Sequence, residues 1–177
     1  MDPSEQEIFR AAIRGDREAF EMIIRTQSRA LFAIAYGILQ NRSDAEDVVQ
    51  DAFIKAWRGR WKLRDAEKLP AWLGTIVRHR ARDLARKRKP EPLPDELSDQ
   101  LQELAPIEDS LGKHLRAAIA ELPELHRAAL TLRYFEELDY AAIERLLGLS
   151  NGALRGILGR ALQTLRKRLR PALTASE

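Results

Sequence analysis

Three groups of side chains in this sequence have the types and spacing to do chemistry, and in each the chemistry is charge recognition rather than bond making. Asp44, Glu46, Asp47, Gln50 and Asp51 crowd acids into one short stretch. Arg78, Arg80, Arg82, Arg86, Lys87, Arg88 and Lys89 stand together against the single Asp83. Asn151, Arg155, Arg160 and Gln163 recur at helical spacing near the C-terminus. The first group can dock a basic protein surface, and the second can grip a polyphosphate backbone. The third carries the amide and guanidinium groups that read base edges in duplex DNA. Catalytic constellations are missing. There is no cysteine, His79, His114 and His126 are scattered singly, and neither a Gly-rich phosphate loop nor metal-ligand spacing occurs. The expectation is a protein that is not an enzyme and uses no cofactor or metal.

The acidic group requires a helix. Ala45, Val48, Val49, Ala52, Phe53, Ala56 and Trp57 recur at the spacing of an amphipathic stripe, which puts Asp44, Glu46, Asp47, Gln50, Asp51 and Lys55 on the other side. Ser43 with Glu46 three residues on reads as a capping box, so the helix should begin at Asp44. Helix-dipole stabilisation explains acids in the first turn. Asp51 lies two turns in, beyond that effect, and leaves open whether this face is structural or a docking surface.

The basic group sits on a second helix. In "LPAWLGTIVRHRARDLARKRK", Pro70 suits the first turn and Leu73, Ile76, Val77, Ala81, Leu84 and Ala85 form the apolar stripe, with Arg78, Arg82, Arg86 and Lys89 along another side. A solvated face is the ordinary reading of such a run. Its density of like charge makes a polyphosphate the alternative. Trp61 and Trp72 are either packing residues, the reading favoured for Trp72, or platforms for unpaired bases.

The third group belongs to a helix-turn-helix. In "LDYAAIERLLGLSNGALRGILGRALQTLRKRL" a short helix ends at Leu147, Gly148 makes the turn, Ser150 can cap the next helix, and a long helix follows. Leu154, Ile157, Leu158, Ala161, Leu162, Leu165 and Leu169 form its buried side. The open side is Asn151, Gly152, Arg155, Gly156, Gly159, Arg160 and Gln163. Glycines carry no side chain to read a base, so the four polar residues must do most of any contacting.

Across all 177 residues the formal net charge is only +3 and 45% of residues are hydrophobic, enough for one ordinary domain or two small ones. The longest apolar run, Leu31 to Leu39, falls far short of the roughly 18 residues that span a bilayer, and the N-terminus does not read as a signal peptide, so no membrane insertion and a cytoplasmic location are expected. Between Pro90 and Ser110 there is no Lys or Arg, while Glu91, Asp95, Glu96, Asp99, Glu103, Glu108 and Asp109 accompany Pro90, Pro92, Pro94 and Pro106. This reads as an acidic, poorly folded linker, with a surface loop inside one domain as the alternative. Elsewhere helices are expected near 4–14, 16–40, 44–59, 70–88, 109–120, 123–136, 139–147 and 151–169. The fold class is therefore all-α, with two small helical domains, 1–89 and 111–171, joined by the linker 90–110, the second a helix-turn-helix, and a tail at 172–177.

An acidic amphipathic helix, a Trp-containing basic helix, an acidic linker and a C-terminal helix-turn-helix, in that order, resemble the extracytoplasmic-function sigma factors, short members of the bacterial sigma-70 family. "DAEDVVQDAFIKAW" is similar to the family's signature for binding core RNA polymerase, "LPAWLGTIVRHRARDLARKR" to its next block, and the C-terminal segment to its promoter-binding domain. The resemblance implies that Asp44, Glu46, Asp47, Gln50 and Asp51 bind polymerase. It implies that Trp72, Arg78, His79, Arg82 and Arg86, with the loop before Trp72, engage the minus-ten element and its melted strand. Asn151, Arg155 and Arg160, joined by Gln163, would face the minus-thirty-five element in duplex DNA. It also implies an anti-sigma partner. The chain departs from the family pattern where His79 replaces the usual Asn, where Ala142-Ile143-Glu144 stands for Glu-Ile-Ala, and in "GALRGIL" from Gly152 to Leu158. A stand-alone helix-turn-helix regulator is the alternative reading, and it gives no reason for the acidic face or the second basic helix.

Overall fold

A computed structural model of the chain describes residues 3–87 and 110–174. Among the described residues the chain forms helices α1 (Pro3–Arg14), α2 (Arg17–Leu39), α3 (Arg42–Gly59), α4 (Leu69–Lys87), α5 (Ser110–Ala120), α6 (Glu124–Tyr134), α7 (Tyr140–Leu147) and α8 (Asn151–Thr174). Short 3-10 turns at Arg60–Lys62 and Ala66–Lys68 join α3 to α4. The expected helices are all present, and α8 runs past its expected end at 169. The linker expected at 90–110 lies outside the described residues, except for Ser110 at the start of α5.

Capping explains most helix boundaries and corrects one expectation. Asp16 precedes α2 in extended backbone and its carboxylate accepts from the Ala19 N–H at 3.0 Å. The chain leaves α2 through Gln40 in the left-handed region, φ 53°, where its N–H donates to the Tyr36 carbonyl. That reversal brings Asn41, not Ser43, to the N-cap of α3. The Asn41 side chain accepts from the Asp44 N–H at 2.9 Å, so the helix starts at Arg42. Ser43 then lies within the first turn, and Glu46 pairs with Arg42 at 3.0 Å, the i,i+4 neighbour, rather than completing a capping box. Asn and Ser cap about equally well, and position after the αL residue decided between them.

Helix α2 is the central element, packed by α1, α3, α4 and α6. Leu31 and Ile34 are fully buried on it. Near its start Phe20 meets the Phe53 ring edge-on at 6.3 Å and the Trp57 ring at 5.0 Å, fixing α3 against it. The apolar stripe of α4 buries Leu73, Ile76, Val77 and Ala81, each large aliphatic contributing roughly 1.5–3 kcal/mol. Ala85, expected in that stripe, is exposed near the end of α4.

Helices α5, α6 and α8 enclose a small core of their own, Ala118, Leu122, Leu130, Ala161 and Leu165. Other apolar residues of α6, α7 and α8 lean on the first four helices. Leu132, Ile143, Leu146, Leu147 and Leu154 belong to the same apolar cluster as Leu31, Leu73 and Val77. The two helical units therefore share a continuous apolar interface, with α6 against α2 and α7 against α4.

Candidate nucleic-acid interface

The helix-turn-helix is built as its sequence suggested. Asp139 caps α7 by accepting from the Ala142 N–H at 2.6 Å, and Gly148 stops it in the left-handed region at φ 67°, where its N–H donates to the Glu144 carbonyl. Ser150 accepts from the Ala153 N–H at 3.3 Å and starts α8. Leu154, Ile157, Leu158, Ala161 and Leu165 are buried, while Asn151, Gly152, Arg155, Gly159, Arg160 and Gln163 are exposed along one side. Nothing lies within 4 Å of a Cβ built on Gly152 or Gly159, so the helix backbone is open to close approach there. Two candidate contact residues are already engaged. The Asn151 amide donates to Glu144 on α7, and the Arg155 guanidinium lies 5.8 Å from the Tyr140 ring centroid. Arg133 approaches the same ring at 5.5 Å. Tyr140 and Glu144 thus orient Arg155 and Asn151, and sequence periodicity offered no signal for either.

On α3, Glu46, Asp47, Gln50 and Asp51 are exposed and Asp44 is half-buried. Ile54 continues the row one turn on, and it is 52% exposed in spite of being apolar. Asp51 forms an ion pair with Arg80 of α4. The acidic and basic faces are therefore adjacent and electrically joined.

On α4 the candidate residues fall into two sets. His79 and Arg86 are exposed, Arg86 pairing with Asp83 one turn back. Arg78 and Arg82 instead face the second unit. Arg82 makes a two-pronged bond to the Glu124 carboxylate of α6, at 2.9 and 3.1 Å, which holds its guanidinium above the ordinary value. Arg78 donates to Thr75 Oγ1 at 3.2 Å and to the Leu146 carbonyl at 3.5 Å, and burial, followed by the nearby Arg82 charge, pushes it below its ordinary value. Beside them Arg127 of α6 donates to the carbonyls of Gly37 and Ala120. A cleft of about 680 Å³ remains among Lys55, His79, Arg80, Arg82, Arg86 and Glu124.

The two tryptophans separate cleanly. Trp72 is half-buried against the core, with its ring 3.6 Å from where a Cβ on Gly59 would stand. Trp61, in the turn between α3 and α4, is 71% exposed, its indole N–H tied to the Arg58 carbonyl at 3.1 Å and Lys62 over its ring at 5.2 Å. Trp61 is therefore a fixed, solvent-facing ring beside a cation, while Trp72 is a packing residue.

A cationic helix, a fixed exposed aromatic and a helix-turn-helix stand together on one all-helical scaffold, the architecture of a DNA-binding protein. Residues 23–91 match the family described as Sigma-70 region 2 and residues 113–165 match Sigma-70, region 4. Over 88% of this chain and 87% of its own length, the RNA polymerase sigma-E factor of Streptomyces antibioticus is 32% identical. The RNA polymerase sigma-H factor of Pseudomonas aeruginosa is 29% identical over 96% of this chain and 95% of its own. Among solved structures, CnrH in complex with the cytosolic domain of CnrY aligns over 98% of this chain and 99% of that one, with a TM-score of 0.66 at 25% identity. The chain belongs to the extracytoplasmic-function group of the bacterial sigma-70 family, and it is a sigma factor. Among the described residues no helix is long and apolar enough to cross a membrane.

Proposed function

We propose that this sigma factor binds core RNA polymerase through the acidic face of α3, engages the minus-ten element through α4 and the turn before it, and reads the minus-thirty-five element with α8. Asp44, Glu46, Asp47, Gln50 and Asp51 form the polymerase surface, to which Ile54 adds an apolar contact. Trp72, Arg78, His79, Arg82 and Arg86, with Trp61, form the minus-ten surface. Asn151, Arg155, Arg160 and Gln163 face duplex DNA. Residues 1–89 and 111–171 act as the two functional domains, 90–110 as their acidic connection and 172–177 as a tail. The chain carries out no catalytic step itself, and it works in the cytoplasm.

The observation that supports this reading best is the order of the three surfaces within the two matched regions: acidic and cationic faces on adjacent helices inside region 2, and an open reading helix inside region 4. Carboxylates facing a basic partner give complementarity and fast association. A cationic face with an exposed indole suits a single strand whose bases are unstacked. An anti-sigma partner is also proposed, because a solved relative, the sigma factor RpoE of Bartonella quintana, is found with the anti-sigma factor NepR.

Run-off transcription with purified core polymerase on a promoter library tests the function, and co-purification tests the docking face. The Asp47→Lys, Asp51→Lys double variant should lose polymerase while keeping its helical spectrum and melting temperature. Retained binding by the folded, charge-reversed protein would remove α3 from the interface.

A further inference from the structure

We propose that Arg60 is a positioning residue for capture of the melted strand: its seat against Gly15 and Trp57 sets the turn between α3 and α4, and with it the direction in which Trp61 faces. This rests on the minus-ten reading of that turn. Arg60 opens a 3-10 turn, in which successive side chains point about 120° apart. Directing Arg60 inward therefore leaves Trp61 and Lys62 on the two outer sides, where both are exposed.

The seat of Arg60 joins segments far apart in the chain. Its guanidinium carbon lies 4.0 Å from the Trp57 ring centroid, and Nη1 donates to the Trp57 carbonyl at 2.6 Å. Gly15, between α1 and α2 at φ 101°, leaves room for the fork: a Cβ built there would stand 3.0 Å from Arg60 Nη2. The other end of the turn is tied to α1 itself. The Gln6 amide donates to the Glu67 carboxylate at 2.8 Å, and Asp65 accepts the Glu67 N–H at 3.0 Å. Helix α1 thus packs on both short 3-10 turns. The groups that hold Trp61 are its own neighbours in sequence, the Arg58 carbonyl at its indole N–H and Lys62 over its face, so the ring follows the backbone that carries it.

Indole nitrogen relaxation on the full chain, whose three tryptophans are Trp57, Trp61 and Trp72, reads the order of each ring. In the unsubstituted chain the Trp61 order parameter should match that of Trp72. Arg60→Met keeps the stem and removes the fork. It should lower the Trp61 value below about 0.6 while Trp72 and the helical spectrum stay unchanged. In the complex with core polymerase it should slow promoter opening about fivefold, the lower end of one lost base stack, with closed-complex affinity intact. Gln6→Glu, at the exposed tether, should produce a smaller loss of the same kind by opposing two carboxylates. Adding Glu67→Gln should restore both readouts by exchanging donor and acceptor. Slow opening with unchanged Trp61 order would make Arg60 a direct DNA contact and overturn positioning, as would a Trp61 ring equally mobile in the unsubstituted chain. If Trp61→Ala opens promoters at the full rate, the minus-ten reading of the turn fails and takes the positioning role with it. If Trp61→Ala is slow while the disordered Arg60→Met chain is not, the positioning role fails alone.

Discussion

Asp51 of α3 and Arg80 of α4 form an ion pair across adjacent helices, joining the acid of one proposed surface to a base of the next. Both side chains are about half exposed, so the pair is worth little to stability. Its effect is on recognition, since a carboxylate held by Arg80 is less free to meet a partner's cation. Arg80→Ala releases Asp51 and should raise affinity for core polymerase up to about fivefold at low salt, the range of exposed ion pairs. Interferometry at two salt concentrations checks it, and a gain that persists at high salt would point away from charge.

Trp61 and Trp72 should behave oppositely. Trp61→Ala should leave the melting temperature nearly unchanged, because the ring is solvent-facing, and should weaken open-complex formation, read as permanganate reactivity of promoter thymines. Trp72→Ala removes a half-buried ring from the core and should cost about 2 kcal/mol of stability, below the range for fully buried aromatics.

Arg155 extends from the first turns of α8 beside Tyr140. If it reads a guanine, Arg155→Ala should cost about 1–3 kcal/mol at promoters that carry that base and little elsewhere. A uniform loss across altered promoter sequences would assign it to phosphate contact. Tyr140→Leu should weaken the same discrimination by loosening the guanidinium.

His126 of α6 has no hydrogen-bond partner for either ring nitrogen among the described residues. Burial, with Arg160 nearby, pushes its pKa below the ordinary 6.5. Between the depressed folded value and 6.5 the unfolded chain binds more protons, so stability rises with pH there. The melting temperature should fall as pH drops below about 6.5, and His126→Leu should flatten that dependence. Melts between pH 5.5 and 7.5 decide it.

The sequence by itself determined the helices, the helix-turn-helix and the three charged faces. Their causes are local: apolar spacing in α3, α4 and α8, the caps at Asp16, Asp139 and Ser150, and the αL glycine at 148. Even the error at Ser43 stayed within one helical turn, because Asn41 offered an equivalent cap. Tertiary structure alone decided which charges are spent inside the molecule. Arg82 meets Glu124 across 42 residues, Arg78 meets Leu146 across 68, and Gly74 marks a close approach that periodicity cannot register. Such contacts form only once loop closure and apolar docking have brought distant segments together, and they leave no repeating trace in the chain. The same physics settled the two tryptophans: the sequence favoured packing for Trp72 and left Trp61 open, and the tertiary structure places the ring of Trp72 half-buried against the core and that of Trp61 in solvent.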